Sequence, residues 1–413
     1  MFSQKVTELA EAALAAMQPY ADKIDRTAFI NQKKVLDAFR ELRISDAHFA
    51  PSSGYGYNDR GRDDLERVYA RIFGTEAALV RSSIISGTHA LTIGLFGLLR
   101  PGDLMFCVTG KPYDTLDEVI GIRGSGNGSL MDYGVRYKQA ELKRDGSIDL
   151  QAIGTGLASG GIKVVYIQRS RGYASRPTLS IRDIASIVSI TRELCPEAFV
   201  VVDNCYGEFV EEQEPSEVGA DLTIGSLIKN PGGGIAENGG YLVGSERAVE
   251  LASYRMTSPG IGAEAGASLG STKNMYKGLF FAPHVVAQAL KTAIFAAYTC
   301  EQLGYEASPR FDEMRYDIIQ SIKLGKPDAL KAFCRGIQMG APIDSFATPE
   351  PWDMPGYDSP VIMAAGAFTQ GSSIELSADA PMREPYDVFM QGGLTFESGR
   401  LGVMYALEEL LRG

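Results

Sequence analysis

The stretch that most constrains how this chain folds holds two short apolar runs, each followed by a functional group. The β-branched run 199–202 ends at Asp203, and a second run, 222–224, leads shortly afterwards to Lys229. Short apolar runs rich in β-branched residues are typical of buried strands. We therefore expect a carboxylate at the end of one buried strand and an amine just past the next.

A lysine and an aspartate placed in this way match the requirements of pyridoxal 5′-phosphate. The lysine forms a Schiff base with the cofactor aldehyde, and the carboxylate keeps the pyridine nitrogen protonated so that the ring can accept electrons. Ser226 adds a hydroxyl just before the lysine, and the glycines 232–234 let the backbone approach a ligand closely. Taken alone, Lys229 is more simply a solvated lysine and Asp203 a capping residue. The combined context favours the cofactor roles, which we predict for both.

The composition sets limits on partners and location. The chain has 413 residues, of which 45% are hydrophobic and 22% are charged, and a net charge of −11. This length suffices for two domains, and the acidic balance argues against nucleic acid as a partner. The scattered cysteines and histidines show no metal-ligand spacing, so we predict no metal site and the reduced thiols of a cytoplasmic protein. We find no signal-peptide pattern and no apolar run of the ~20 residues that a membrane span needs.

The middle of the chain alternates strand patterns with helix patterns. Such alternation predicts an α/β fold, with a mostly parallel sheet flanked by helices on both faces. In these sheets ligands bind beyond the carboxyl ends of the strands. Lys229, Asp203, Tyr113 and the segment from Gln168 all follow predicted strands. They should therefore lie at one edge of the sheet, where the ring of Tyr113 could stack on a flat cofactor.

Two further segments suit a phosphate group. Gly87 and Thr88 open an apolar helix whose first N–H groups could seat a phosphate, although Ser86 as a plain cap explains the pattern equally well. The loop 51–62 is rich in Gly, Tyr and Arg, which would suit phosphate contacts or simply an ordered surface loop.

The outer parts of the chain give the predicted domain organisation. We expect helices at 2–18, ended by Pro19, and at 26–42, which form an arm that packs on a partner subunit or on its own domain. A long helix should run from Pro283 to Gln302, followed by helix near 311–324, strands at 360–368, 372–377 and 386–390, and a last helix over 403–411. The predicted units are an arm over 1–50, a large cofactor domain over 51–282 and a smaller C-terminal α+β domain over 283–413. Arg383, in a turn, could reach a substrate carboxylate.

Several segments together resemble the fold type I pyridoxal-phosphate enzymes of cysteine and methionine metabolism. The resemblance is nearest to the methionine γ-lyase-like, or aluminium-resistance, branch. The segments that carry it span most of the chain: GYGYNDRGRDDLE at 54–66, ALVRSSIISGTHA at 78–90, KPYDTL at 111–116, VVVDNCYGEF at 200–209, GSLIKNPGGGIAENGGYLVG at 225–244 and MQGGLTFESG at 390–399.

The resemblance implies a role for each matching residue. Lys229 would carry the cofactor, with Asp203 at the pyridine nitrogen and Tyr113 stacked on the ring and assisting proton transfer. The residues implied at the phosphate are Gly87, Thr88, Ser226 and, from a neighbouring subunit, Tyr57 and Arg62, with Tyr55 and Arg60 as rivals. The implied assembly is a homodimer or homotetramer with active sites at the subunit interface.

The chain departs from the well-studied lyases at three points. The loop 51–62 lacks their Tyr-x-Arg pattern, Ile228 stands where they have threonine, and 169–172 replaces an Asn-Pro turn. The resemblance implies a lyase that cleaves the C–S bond of a sulfur amino acid of the cystathionine, methionine or cysteine type, by β- or γ-elimination. The alternatives are an aminotransferase or another amino-acid enzyme on the same fold, a non-catalytic cofactor-binding protein, and a nucleotide-binding protein, which the absence of phosphate-loop motifs disfavours.

Overall fold

The computed structural model describes residues 2–124, 126–174, 176–354, 357 and 359–412. The helices within these residues, numbered in chain order, are α1 (Gln4–Glu41), α2 (Arg60–Phe73), α3 (Gly87–Leu98), α4 (Asp117–Ile120), α5 (Leu150–Ala158), α6 (Ile181–Leu194), α7 (Glu246–Met256), α8 (Thr272–Gln302), α9 (Pro327–Met339) and α10 (Phe396–Arg412). The strands are β1 (Ala77–Arg81), β2 (Leu104–Cys107), β3 (Arg136–Gln139), β4 (Ile162–Gln168), β5 (Phe199–Asp203), β6 (Leu222–Ser226), β7 (Gly240–Gly244), β8 (Glu306–Ser308), β9 (Gln320–Lys323), β10 (Val361–Ala365), β11 (Ser377–Pro381) and β12 (Asp387–Gln391).

The larger sheet has seven strands in the order β1-β7-β6-β5-β4-β2-β3. The pairs from β6 across to β3 are parallel, whereas β7 runs antiparallel to both of its neighbours. This confirms the predicted α/β fold with a mostly parallel sheet. The parallel strands therefore end at one common edge, which is where such sheets bind ligands.

Helices cover both faces of this sheet, and the central strands show why. In β5, Val201 packs in the same cluster as residues of α3 and α7, whereas Val200 and Val202 pack with residues of α5 and α6. Because successive side chains of a strand point to opposite faces, a strand between two helical layers must be apolar at every position. The apolar run that the sequence shows at 199–202 follows directly from this double burial.

The first helix corrects the predicted arm of two helices. α1 is continuous, and Pro19 lies inside it. Val6 and Met17 are buried against the cluster of the smaller sheet, and Val35 is buried in the core of the larger sheet. Burial of this long stripe outweighs the hydrogen bond that a proline removes from a helix. The arm thus packs on its own chain, along α8.

The long helix α8 begins at Thr272, and Pro283 lies within it rather than at its start. By length and composition this helix could cross a membrane, contrary to our expectation that no apolar run is long enough. However, 72% of its apolar window is buried inside the protein. Its composition is therefore explained by packing in the protein core.

The smaller sheet has five antiparallel strands in the order β10-β11-β12-β9-β8 and packs against α9 and α10. This confirms the predicted α+β character of the C-terminal part. The helix predicted near 311–324 is wrong, since β9 lies there between β8 and β12. The strand predicted at 372–377 lies at 377–381 instead, and α9 was not predicted. Pairing between segments distant in sequence decides these elements. The domain limits at 50 and 282 stay a prediction.

Candidate active site

Asp203 is the last residue of β5, at the carboxyl edge of the larger sheet. Its side chain is buried, and Oδ1 accepts a hydrogen bond from the backbone N–H of Cys205 at 3.1 Å. In the sheet it lies beside Gln168, the last residue of β4. Burial raises the pKa of the Asp203 carboxyl, and the positive charge of Lys229 opposes that rise. The sheet thus presents a buried carboxyl group with a cation nearby.

Lys229 lies just past the end of β6, where the chain turns into a short 3₁₀ helix over 230–232. Its Nζ lies 4.2 Å from the centroid of the Tyr206 ring, and the face of an aromatic ring attracts a cation. Burial lowers the pKa of Lys229, but the neighbouring Cys205, Tyr206 and Asp203 outweigh burial, so that overall the pKa is raised. The amine is therefore charged in this state and packed against the protein.

The N-terminus of α3 faces the same place. Ser86 is its N-cap, and Ser86 Oγ accepts a hydrogen bond from the N–H of His89 at 3.0 Å. Gly87 and Thr88 are the first residues of the helix, where backbone N–H groups have no carbonyl partner within the helix. This confirms Ser86 as the cap of the helix. The next two amides sit at the positive end of the helix, and their role as a phosphate seat stays a prediction.

The position of Gly87 ties this helix to the lysine. A Cβ atom at Gly87 would lie 3.3 Å from Cys205 Sγ, 3.6 Å from Ser226 Cβ and 3.7 Å from Lys229 Nζ. The end of the helix, the end of β6 and the lysine amine are thus in near contact. A side chain at position 87 would enter the space between them.

Tyr113 lies in the loop after β2 and forms part of a cluster of tyrosines. Its backbone N–H donates to Gln168 Oε1 at 2.6 Å, and its hydroxyl lies 2.5 Å from the hydroxyl of Tyr357. Its ring centroid is 5.6 Å from that of Tyr173. Burial raises the pKa of Tyr113 well above its ordinary value. Tyr113 is therefore a neutral phenol at neutral pH, with a fixed position beside the sheet edge.

The smaller sheet contributes residues that the sequence did not indicate. Asp379 of β11 and Gln391 of β12 are both buried, and Gln391 Nε2 donates to Asp379 Oδ2 at 2.8 Å. Ser373 Oγ donates to the hydroxyl of Tyr206 at 3.3 Å. No motif could have found these residues, because their place beside the lysine depends on how the second sheet packs on the first.

These groups line one cavity of about 260 Å³ between the two sheets. It brings together six of the residues that the sequence proposed for the site: Gly87, Thr88, Tyr113, Asp203, Ser226 and Lys229. The new residues from the smaller sheet complete its far wall. The cavity thus contains an amine, a buried carboxyl group, a helix N-terminus and aromatic rings.

The residues of this cavity fit pyridoxal 5′-phosphate. The space that a Cβ atom at Gly87 would occupy lies between the helix amides and the Lys229 amine. One small molecule could therefore place a phosphate at the amides and an aldehyde at the amine. Gly87, Thr88 and Ser226 would hold the phosphate, Lys229 the aldehyde carbon and Asp203 the ring nitrogen. The roles of the individual residues stay predictions.

The two arginines of the loop 51–62 that the resemblance implies for the phosphate, Arg62 and Arg60, differ in their exposure. Arg62 is 5% exposed, and its guanidinium donates to the carbonyls of Gly56 and Gly266 at 2.7 and 2.9 Å. A side chain held in this way is not available to a second subunit. The side chain of Arg60 is 62% exposed, so the geometry favours Arg60 over Arg62.

Tyr57 and Tyr55 of the same loop are both exposed, and their rings stack with centroids 5.4 Å apart. Neither lines the cavity of its own chain. Their exposure suits the predicted contact with a neighbouring subunit, which stays a prediction. Arg383 is also exposed and lines a second, adjacent cavity instead of this one, so its contact with a substrate carboxylate stays a prediction.

A buried glutamate behind the site makes the stability of the fold depend on pH. Glu208 is 0% exposed, Tyr241 donates to its Oε1 at 2.8 Å, and its Oε2 lacks a partner among the described residues. Burial raises the pKa of Glu208 to about 8 from 4.5. Between these two pKa values the folded chain binds the proton more tightly than the unfolded chain. The contribution of Glu208 to the free energy of unfolding is therefore fully present below the lower value and is lost as pH rises through the higher one.

We expect the substitution Glu208→Gln to remove this dependence. The wild-type free energy of unfolding should fall by up to about 4 kcal/mol from pH 5 to pH 9 because of this group. The variant should be the more stable protein at pH 9, as measured by urea unfolding at both pH values. Glu212→Gln, at an exposed position, is the control. Parallel pH profiles for wild type and Glu208→Gln would contradict the prediction.

The fold type I class of pyridoxal-phosphate enzymes is characterised by three groups at the carboxyl edge of a mostly parallel sheet. These are a lysine, a carboxylate and a helix N-terminus suited to bind phosphate. The chain belongs to the methionine gamma-lyase family, whose model matches residues 6–411. Pyridoxal 5′-phosphate is the cofactor of this family, which confirms the cofactor predicted from the sequence.

Relatives match this chain over nearly its whole length. It is 51% identical to the uncharacterized protein YnbB of Bacillus subtilis over 403 residues, 97% of this chain and 95% of that protein. A Listeria monocytogenes crystal structure, linked by name to cystathionine beta-lyase and aluminum resistance, has a TM-score of 0.96 at 50% identity and covers 98% of this chain and 100% of that one. A carbon-sulfur lyase involved in aluminum resistance from Clostridium novyi gives 0.95 at 52% identity, with 98% and 96% covered. Family and neighbours together point to a pyridoxal-phosphate-dependent carbon–sulfur lyase.

Proposed function

We propose that this protein cleaves the C–S bond of a sulfur amino acid by β- or γ-elimination, with Lys229 as its central catalytic residue. The observation that carries the proposal is the position of the Lys229 amine, 4.2 Å from the Tyr206 ring centroid and beside the N-terminus of α3. One amine thus adjoins both a seat for phosphate and a buried carboxyl group. When bound, the cofactor supplies an electron sink for the pair released at the substrate α-carbon.

The residues of the chain divide the proton transfers among them. Lys229 would hold the cofactor and, as a free amine, would remove the proton from Cα. Asp203 holds the proton on the ring nitrogen, and its burial keeps water from competing for that contact. Tyr113 carries its proton at neutral pH and lines the cavity that holds Lys229, so its hydroxyl could donate that proton to the departing sulfur. A γ-elimination needs a second proton removal, at Cβ, before the sulfur departs, so Tyr113 would protonate the sulfur only after a base has taken the Cβ proton.

The test is product release from a purified protein loaded with pyridoxal 5′-phosphate. Cystathionine, methionine and cysteine would be offered separately, with release of a thiol or sulfide and of a 2-oxo acid measured for each. The proposal expects both products from at least one of them. Conversion of the cofactor to its amine form without thiol release would identify an aminotransferase instead. A loaded protein that converts none of these amino acids would be a non-catalytic binder of the cofactor.

The proposed assembly is a homodimer or homotetramer in which a second subunit completes the site. Tyr55, Tyr57 and Leu269 are 72%, 55% and 77% exposed, and the loops that carry them are joined by backbone hydrogen bonds. Together they form an exposed apolar surface that a second copy would cover. The proposed location in the cytoplasm fits the five unpaired cysteines.

A further inference from the structure

A second cavity, of about 420 Å³, adjoins the cofactor cavity. The two cavities share three lining residues, Tyr113, Gln168 and Tyr173. We call it the basic cavity, because six of its lining residues are basic: Lys111, Lys143, Arg144, Arg171, Arg176 and Arg383. Only two acidic residues, Asp114 and Glu141, line it as well.

The charge of the basic cavity is opposite to that of the whole chain, which has a net charge of −11. Lys111 is paired with Asp117 at 2.7 Å. In the part of the chain that the structure describes, the other five cations make no ion pair. Asp317 acts on Arg171 and Arg176 through its charge, but the cations that line the cavity still outnumber its acidic residues. This excess creates a local positive potential, which favours an anion from outside the chain.

Two of these arginines are buried and fixed in position. Arg176 donates from Nη2 to the carbonyls of Ser170 and Gln168, the latter at 3.0 Å, and Arg171 donates from Nη1 to the carbonyl of Ser308 at 3.0 Å. Arg176 Nη1 and Arg171 Nε are buried and have no hydrogen-bond partner among the described residues. Burial lowers the pKa of Arg176 to about 10. A buried guanidinium left partly unpaired is costly unless an anion compensates it.

The remaining cations lie at the rim, where they are exposed. Lys143 and Arg144 belong to the turn after β3, and Arg383 lies between β11 and β12. An anion that enters from solvent would meet these side chains first and the two buried arginines below. Buried guanidinium groups with exposed cations around them suit a planar or tetrahedral oxyanion, because guanidinium matches the geometry of both.

We propose that the basic cavity binds an oxyanion, a carboxylate or phosphate group, carried on the distal end of the substrate or supplied as a free anion. The substrate form rests on the proposed function and narrows it to sulfur amino acids whose leaving thiol bears an acidic group. Tyr113, Gln168 and Tyr173 line both cavities, so the distal end of a substrate held at Lys229 would lie on the side of the basic cavity if it extends past these residues.

The substrate form is tested with two cysteine thioethers of equal chain length, S-(2-carboxyethyl)cysteine and S-propylcysteine. The wild-type enzyme should prefer the acidic compound about tenfold or more in kcat/KM. The double substitution Lys143→Ala with Arg144→Ala should bring this ratio close to one. Turnover of S-propylcysteine shows in each variant that the fold and the chemistry are intact. The control, Lys273→Ala with Lys277→Ala, removes the same charge from an exposed part of α8 and should keep the ratio.

The free-anion form is tested by calorimetric titration of the cofactor-loaded enzyme with inorganic phosphate. One outcome assigns the cavity to a free anion. In it, the wild type and the control bind phosphate, the rim double variant does not, and the wild type shows no preference for the acidic thioether. If the enzyme shows no preference for the acidic thioether and also binds no phosphate, the proposal is overturned. If neither thioether is converted, the proposed function fails on those substrates, and the phosphate titration still decides whether the cavity binds an anion.

Discussion

Replacement of Lys229 by alanine should abolish both the activity and the near-violet absorption band of the loaded protein. The amine beside α3 is the group proposed to hold the cofactor covalently and to remove the α-proton, so one substitution removes both functions. We expect a loss in kcat of about a thousandfold or more, since acid–base catalysis alone accounts for much of that. The measurements are a visible spectrum after reconstitution and thiol release from the best substrate.

Two controls make the result specific to the amine. Lys229→Arg keeps a positive charge near Tyr206 but cannot form the covalent link, so it should lose the band as fully as Lys229→Ala does. Lys273→Ala, on the exposed side of α8, should keep both the band and the activity. Retention of the band in Lys229→Ala would show that another amine holds the cofactor, and the proposed function would then lose its central observation.

The substitution Asp203→Asn should separate cofactor binding from catalysis. The amide keeps the size of the side chain and can still accept the hydrogen bond from Cys205, but it carries no charge to hold a proton on the ring nitrogen. We expect kcat to fall roughly a hundredfold to a thousandfold, the size typical for loss of one preorganised electrostatic group. Spectra and kinetics of the reconstituted variant, compared with wild type, measure the two effects.

The control for this variant is Asp145→Asn, at an exposed position. Asp203→Glu tests the distance, because it restores the charge one methylene further out and should recover only part of the rate. Full activity in Asp203→Asn would mean that the ring nitrogen does not depend on this carboxylate. Loss of the band would instead indicate that the buried carboxylate holds the cofactor in place rather than tuning it.

The sequence could predict the half of the site that lies at strand ends. Asp203 could be predicted because β5 is buried on both faces and apolar up to this residue, so its first polar side chain marks the sheet edge. Lys229 could be predicted because it follows shortly after the apolar run of β6. Asp379 and Gln391 could not be predicted, since they lie within strands of the smaller sheet and reach the cavity only through packing between the two sheets. Local pattern carries no information on such contacts.

The errors in the predicted elements have the same physical origin. Pro19 and Pro283 are strong local signals for a helix end or start, yet both lie inside long helices that are buried along much of their length. Arg62 looked available because its loop is polar and rich in glycine. Its donors are satisfied by carbonyls at 264 and 266, about two hundred positions later in the sequence. Tertiary contacts override local preference in each case.

The pairing of α1 with α8 has a consequence for how the enzyme admits a substrate. The two helices run in opposite directions, with Lys291 beside Asp25 and Phe280 beside Gln32, and each passes through the cores of both sheets. Together the two helices brace the junction between the larger and the smaller sheet. A hinge rotation of one sheet away from the other would have to bend both α1 and α8 and break their packing. Entry to Lys229 should therefore depend on small movements of surface loops, with the scaffold staying rigid through each turnover.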